Sequence, residues 1–61
     1  MKACYGFLLN GEFYEVGTKL GAKRAATNAG SAVVGYMSNQ SNMFVTRAVK
    51  RARDNKWHDV R

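Results

Sequence analysis

The chain of 61 residues contains one cysteine, Cys4, one histidine, His58, and one tryptophan, Trp57. A single cysteine excludes an internal disulfide and suits a reducing compartment. A homodimer bridged through Cys4 is the one disulfide left. A structural zinc needs about four ligands at short spacings, and Cys4 with His58 supply two, so no metal is expected. Acids are equally scarce: Glu12, Glu15, Asp54 and Asp59 are all there are. Glu12 and Glu15 are three apart on a strand and point to opposite faces, which is wrong for a paired acid and base. Cys4 and His58 lack a third group to orient them as a nucleophile pair. GTKLGAK has neither the spacing nor the Ser or Thr after Lys of a phosphate-binding P-loop. No catalytic residue, cofactor or enzymatic activity is therefore expected. Long apolar runs are also missing. The opening MKACYGFLLNGEF is interrupted by Asn10 and Glu12, and no stretch approaches the roughly 20 apolar residues of a membrane span. These absences predict a soluble, cytoplasmic protein with no membrane partner.

What is present is positive charge. Ten Lys and Arg against four acids give a net +6. The excess is local. Residues 1–18 hold Lys2, Glu12 and Glu15, whereas residues 19–61 hold nine cations against Asp54 and Asp59. An excess confined to one part of a chain suggests a positive face aimed at a polyanion. The alternative is a charge that serves solubility alone.

The clearest local signal is ACYGFLL-NG-EFYEV. Asn10-Gly11 is a preferred pair for a two-residue type I′ hairpin. That turn sets Leu9 opposite Glu12, Leu8 opposite Phe13, Phe7 opposite Tyr14 and Tyr5 opposite Val16. One face then carries Tyr5, Phe7, Tyr14 and Val16, and the other carries Leu8 and Phe13 beside Cys4. The aromatic face is the better core candidate, and an isolated hairpin needs a cover. The following helix provides one. Thr18 is its N-cap, and Ala22, Ala25, Ala26 and Ala29 form a stripe small enough to lie close on a sheet. Lys19, Lys23 and Arg24 sit beside or opposite that stripe.

Asn28-Ala29-Gly30 reads as the helix stop, with Gly30 left-handed. SAVVGYM then reads as a third strand, because Val33 and Val34 are β-branched and two glycines disfavour helix. The competing reading continues the helical stripe through Val33 and Tyr36. After a loop at residues 38–42, MFVTRAVKRARDN predicts a second, basic helix. Phe44, Val45, Ala48, Val49 and Ala52 make its apolar face, and Arg47, Lys50, Arg51 and Arg53 take most of the rest. The expected fold is a small single α+β domain: N-terminal hairpin, helix, third strand and C-terminal basic helix. A core this small is marginal, and free hairpin edges make a homodimer credible.

Three features point to nucleic acid. Lys19, Lys23 and Arg24 lie at a helix N-terminus, where exposed N–H groups and cations both favour a phosphate. Without an anion, cations there work against the helix dipole. Arg47, Lys50, Arg51 and Arg53 are spaced to track a backbone or enter a groove. Trp57 and His58 are candidates to stack on a base, although a sole Trp in so small a chain more often closes the core.

Residues 6–36 resemble the second half of a double-stranded-RNA-binding domain: a hairpin, GFLLNGEFYEV, a turn, GT, and a helix start, KLGAKRAATNAG. The resemblance implies that Lys19, Lys23 and Arg24 grip phosphates across a major groove and that Ala25 and Ala29 pack on the sheet. That family's first helix and strand have no counterpart here. The same pattern resembles the small three-stranded DNA-binding domains at the N-termini of phage-type integrases. The expectation is non-enzymatic binding to nucleic acid, double-stranded and phosphate-dominated. The alternative is a small phage or mobile-element accessory or inhibitor protein that docks its basic face on an acidic host protein.

Overall fold

The structure, a computed structural model, describes residues 4–38 and 40–60. Among the described residues, five strands form one antiparallel sheet with a single helix against it. The strands are β1 (Tyr5–Leu9), β2 (Glu12–Gly17), β3 (Val33–Met37), β4 (Phe44–Arg51) and β5 (Lys56–Asp59), and the helix α1 (Lys19–Ala29) joins β2 to β3. Their order across the sheet is β2-β1-β3-β4-β5, every neighbour antiparallel.

The first hairpin follows its turn chemistry. Asn10 and Gly11 both take positive φ, 53° and 80°, as a type I′ turn requires. Leu9–Glu12, Leu8–Phe13 and Phe7–Tyr14 pair as expected. The fourth pairing differs. A bulge makes Val16 the extra residue, so Tyr5 faces Gly17 and Gly6 faces Glu15. At the start of α1, Thr18 Oγ1 accepts the Gly21 N–H at 3.0 Å. At its end Gly30 has φ 88°, and the Ser31 N–H donates to the Ala26 carbonyl at 2.7 Å. These are the donor and acceptor of a Schellman closure. Ser31 is then buried, and its hydroxyl donates to the Leu8 carbonyl at 2.6 Å, locking the helix exit to the end of β1.

The helix covers one face of the sheet. Ala22 and Ala26 lie against Phe7, Val34 and Ala48, all buried, with Tyr5, Leu9, Ala25 and Trp57 packed around them. The Phe7 ring stacks on Tyr14 at 5.2 Å, and Tyr5 meets Tyr36 edge-on at 5.7 Å. The predicted aromatic face is thus the core face, but Tyr14 and Val16 remain exposed on the edge strand, and Ala29 lies outside the packed stripe.

Of residues 31–37, Val33–Met37 form the third strand. The C-terminal basic helix does not form. Residues 44–51 are β4, a turn occupies residues 52–55, and residues 56–59 are β5. The physical reason is a counterfeit period. Gly35 pairs with Thr46 and Val34 with Ala48, so Arg47 is an extra, bulged residue in β4. A bulge breaks strict alternation. Val45 and Ala48, three apart, therefore face the same side, which imitates the spacing of a helix face. Their β-branched neighbours Thr46 and Val49 suit a pleated strand better, and pairing to β3 supplies the hydrogen bonds.

The opposite face of the sheet carries no helix. Leu8, Phe13, Val33, Phe44 and Val49 lie on it by alternation. Gly6 and Gly35 pair at its centre. A Cβ on Gly6 would run into the Tyr14 carbonyl oxygen and lie 2.8 Å from the Phe13 ring. A Cβ on Gly35 would run into the Val45 carbonyl oxygen and lie 2.8 Å from the Phe44 ring. The two rings thus lean inward over the glycines and approach to 5.8 Å.

Candidate nucleic-acid interface

The β4–β5 hairpin brings the two basic segments together. Lys50 pairs with Trp57 across the hairpin, and Ala48 with Asp59. These residues point to the covered face, next to the flank of α1. There the Trp57 indole N–H donates to Thr27 Oγ1 at 3.4 Å, and Lys50 Nζ donates to the same oxygen at 3.5 Å. The Thr27 hydroxyl donates in turn to the Lys23 carbonyl at 2.9 Å. Thr27 is therefore a hub joining helix, β4 and β5.

Two hollows meet at Thr27. One, of about 460 Å³, is lined by Leu20, Lys23, Arg24, Thr27, Asn28 and Trp57. The other, of about 280 Å³, lies beyond it toward the helix C-terminus and includes Lys50, Arg51, Ser31 and Asn55. Together they form a trough along the helix from Leu20 to Gly30, a rise of about 15 Å. Three cationic side chains line it, Lys23 and Arg24 from the helix and Lys50 from β4, while Arg51 borders its far end with its side chain turned to the other face. Among the described residues no acidic side chain lines it, and Asp59 reaches Lys23 from outside.

The cations at the helix start have an anion from within the chain. Asp59 Oδ1 lies 3.0 Å from Lys19 Nζ and 3.5 Å from Lys23 Nζ. Hydrogen bonding and charge from Lys19, then the charge of Lys23, hold the Asp59 carboxyl below its ordinary value. One carboxylate shared by two ammonium groups leaves a local excess of one positive charge, with Arg24 exposed beside it.

The remaining predicted residues scatter. Alternation along β4 sends Lys50 to the helix side and its neighbour Arg51 to the other, so Arg47, Lys50, Arg51 and Arg53 do not form one row. Arg47 is the bulge residue, its carbonyl accepting the Val60 N–H at 2.9 Å, and Arg53 is exposed in the turn before β5. Trp57 and His58 do not form one stacking unit either. As consecutive strand residues they face opposite sides of the sheet. His58 Nε2 lies 2.8 Å from Asp54 Oδ2, and this hydrogen bond lowers the Asp54 pKa. Sequence reasoning missed Thr27, Asn28 and Leu20. A threonine inside a helix carries no signal of a cross-strand partner, but an exposed Leu20 among lysines was a usable one.

Cys4 is exposed at the head of β1, and the charge of Glu15 raises its thiol pKa. His58 lies three strands away, about 14 Å across the sheet alone, and is displaced along the strands as well, so the two do not pair. Among the described residues no group of three or more His, Cys, Asp and Glu gathers as a metal site, and no helix is long and apolar enough to cross a membrane. No protein-family model matches the chain, and comparison with curated proteins and with solved structures finds no match.

Proposed function

We propose that this protein binds nucleic acid without performing chemistry on it, by seating a phosphodiester backbone in the trough between α1 and the β4–β5 hairpin. The observation that carries the reading is convergence. Lys23 and Arg24 belong to one segment of sequence and Lys50 to another, and all three line one trough. Lys19, Lys23, Arg24 and Lys50 share a single carboxylate, Asp59, and a polyanion relieves the repulsion that remains. The resemblance of the helix start to phosphate-gripping lysines of double-stranded-RNA-binding domains supports the same ligand. A preference for duplex lost one of its supports with the C-terminal basic helix, since Arg47, Lys50, Arg51 and Arg53 lie on a strand and a turn instead of a helix that could enter a groove.

Fluorescence anisotropy with labelled oligonucleotides across a salt series tests the reading. Three phosphate contacts predict that affinity falls about 40-fold for a duplex, or about 20-fold for a single strand, between 50 and 200 mM salt. Affinity indifferent to salt, or no binding to either form, contradicts it.

A second reading has its own observation. The helix-free face of the sheet presents Leu8, Phe13 and Phe44 with cationic Arg51 and Lys56 toward one end, which fits an acidic protein, in keeping with a phage-type accessory or inhibitor protein. Apolar patches bordered by charge are common at protein interfaces. A partner that co-purifies after exhaustive nuclease treatment, and is released by Phe13→Ser, favours this reading over the first.

A further inference from the structure

We infer that the larger hollow of the trough holds an unpaired nucleobase against Trp57, so that the protein prefers single-stranded over fully paired nucleic acid. The inference rests on the nucleic-acid reading above and specifies its ligand. The hollow, at about 460 Å³, falls within the range of small-ligand pockets, about 300–1,000 Å³. Its character differs from that of a pure phosphate site. Trp57 packs its inner side on the core, and the Thr27 oxygen fixes its indole through the N–H. Leu20, 65% exposed, lines the same hollow, an apolar side chain left at the helix start among cations. An indole and a leucine make an apolar slot, and lysine and arginine rim it.

That combination suits a nucleotide better than a bare phosphate or an apolar ligand. The ring of a base is flat and stacks on an aromatic side chain regardless of sequence, while the attached phosphates need cations at the rim. Lys23 and Arg24 stand on one side of the slot and Lys50 follows beyond Trp57, so phosphates on either side of the seated base each meet a cation. A base inside a duplex is stacked on both faces and cannot enter.

The slot also predicts weak base preference. Thr27 already donates to the Lys23 carbonyl and accepts from Trp57 and Lys50. Of the lining side chains only Asn28 remains to offer a neutral donor and acceptor to a base edge. One amide is too little for strong sequence readout.

Because Trp57 is the sole tryptophan, its fluorescence reports on this slot alone. The test compares the intact protein with dT10, with an abasic deoxyribose-phosphate decamer of the same charge, and with a blunt decamer duplex, all at one salt concentration. The expected result is that dT10 binds about 5- to 150-fold tighter than the abasic strand, the loss corresponding to one stacked base, and that dT10 alone quenches Trp57. Equal affinity for dT10 and the abasic strand, with salt-dependent binding and unchanged fluorescence, overturns the base slot and leaves the phosphate-binding reading standing. Failure of all three to bind overturns both. As a second variant, Leu20→Ser, an exposed position, is expected to weaken dT10 several-fold more than the abasic strand; equal weakening of both contradicts the slot.

Discussion

Lys19 Nζ lies 3.0 Å from Asp59 Oδ1, tying the first turn of the helix to the last residue of the sheet's edge strand. Lys23 shares the same oxygen at 3.5 Å. A helix N-terminus disfavours cations, and this chain meets that conflict with a carboxylate delivered from the far end of its sequence. Asp59 occupies a place where a phosphate would also be welcome.

Asp59→Asn therefore separates fold from function. Removing the carboxylate frees Lys19 and Lys23, so oligonucleotide affinity is expected to rise. Stability is expected to fall slightly at low ionic strength, and the difference to shrink in high salt, because exposed pairs are screened. Melting curves at low and high salt, beside anisotropy titrations, read both. An affinity that drops on this substitution means Asp59 positions the lysines for binding rather than competing for them.

Acid should destabilise the protein through two carboxylates. Asp59 is held below its ordinary value of 3.8 by Lys19 and Lys23, and Asp54 below the same value by the His58 hydrogen bond. A carboxyl lowered in the folded state contributes stability that is full above the unfolded value and lost as pH falls through the folded one. Both contributions are thus intact at neutral pH and are lost progressively as pH falls below about 4. The melting temperature of Asp54→Asn combined with Asp59→Asn should fall less between pH 6 and pH 3 than that of the wild type.

The paired glycines at the sheet centre admit no side chain. In Gly35→Ala the new methyl would press on the Val45 carbonyl and the Phe44 ring. Backbone cannot yield as a flexible side chain does, so the cost is expected at about 3 kcal/mol or more. A chain of this length holds only roughly 3–9 kcal/mol in all. Gly35→Ala and Gly6→Ala should each lose most of the cooperative thermal transition, whereas Gly21→Ala, whose neighbours are the Thr18 hydroxyl and a Val16 methyl, should be far milder.

Ser31 is the polar pin of the fold. Its hydroxyl donates to the Leu8 carbonyl at 2.6 Å and also receives the Val33 N–H at 3.3 Å. Ser31→Ala leaves these backbone groups short of a partner in a buried place, a loss of about 1–3 kcal/mol. Chemical denaturation measures it, and an unchanged midpoint would show that water replaces the hydroxyl.

The first half of the fold was legible because each element carried its own punctuation. Asn10-Gly11 fixed the hairpin register, Thr18 and Gly30 marked the helix ends, and the β-branched Val33 and Val34 favoured the strand between two otherwise ambiguous glycines. The second half was not, because the bulge at Arg47 put Val45 and Ala48 on one face at helical spacing. A bulge is set by the partner strand, and no local pattern announces it. The candidate site was legible residue by residue but not as an arrangement. Lys19, Lys23, Arg24, Lys50, Arg51 and Trp57 were all named from charge and aromatic content. Which of them share one side of the sheet depended on β4 being a strand. The same error joined His58 to Trp57, which strand alternation separates, and hid Asp59 as the partner of the helix lysines.

The central claim is that cations from two distant segments act on one nucleic-acid backbone. The most direct measurement is the salt dependence of oligonucleotide affinity for the wild type, for Lys23→Gln with Arg24→Gln, and for Lys50→Gln. The pair removes two contacts and the single variant one, so they are predicted to reduce the slope of log affinity against log salt by about 1.4 and about 0.7 with a single strand. The three-residue variant should lose nearly all of it. A slope that either variant leaves unchanged would contradict the account, since the trough would then not be where the backbone lies.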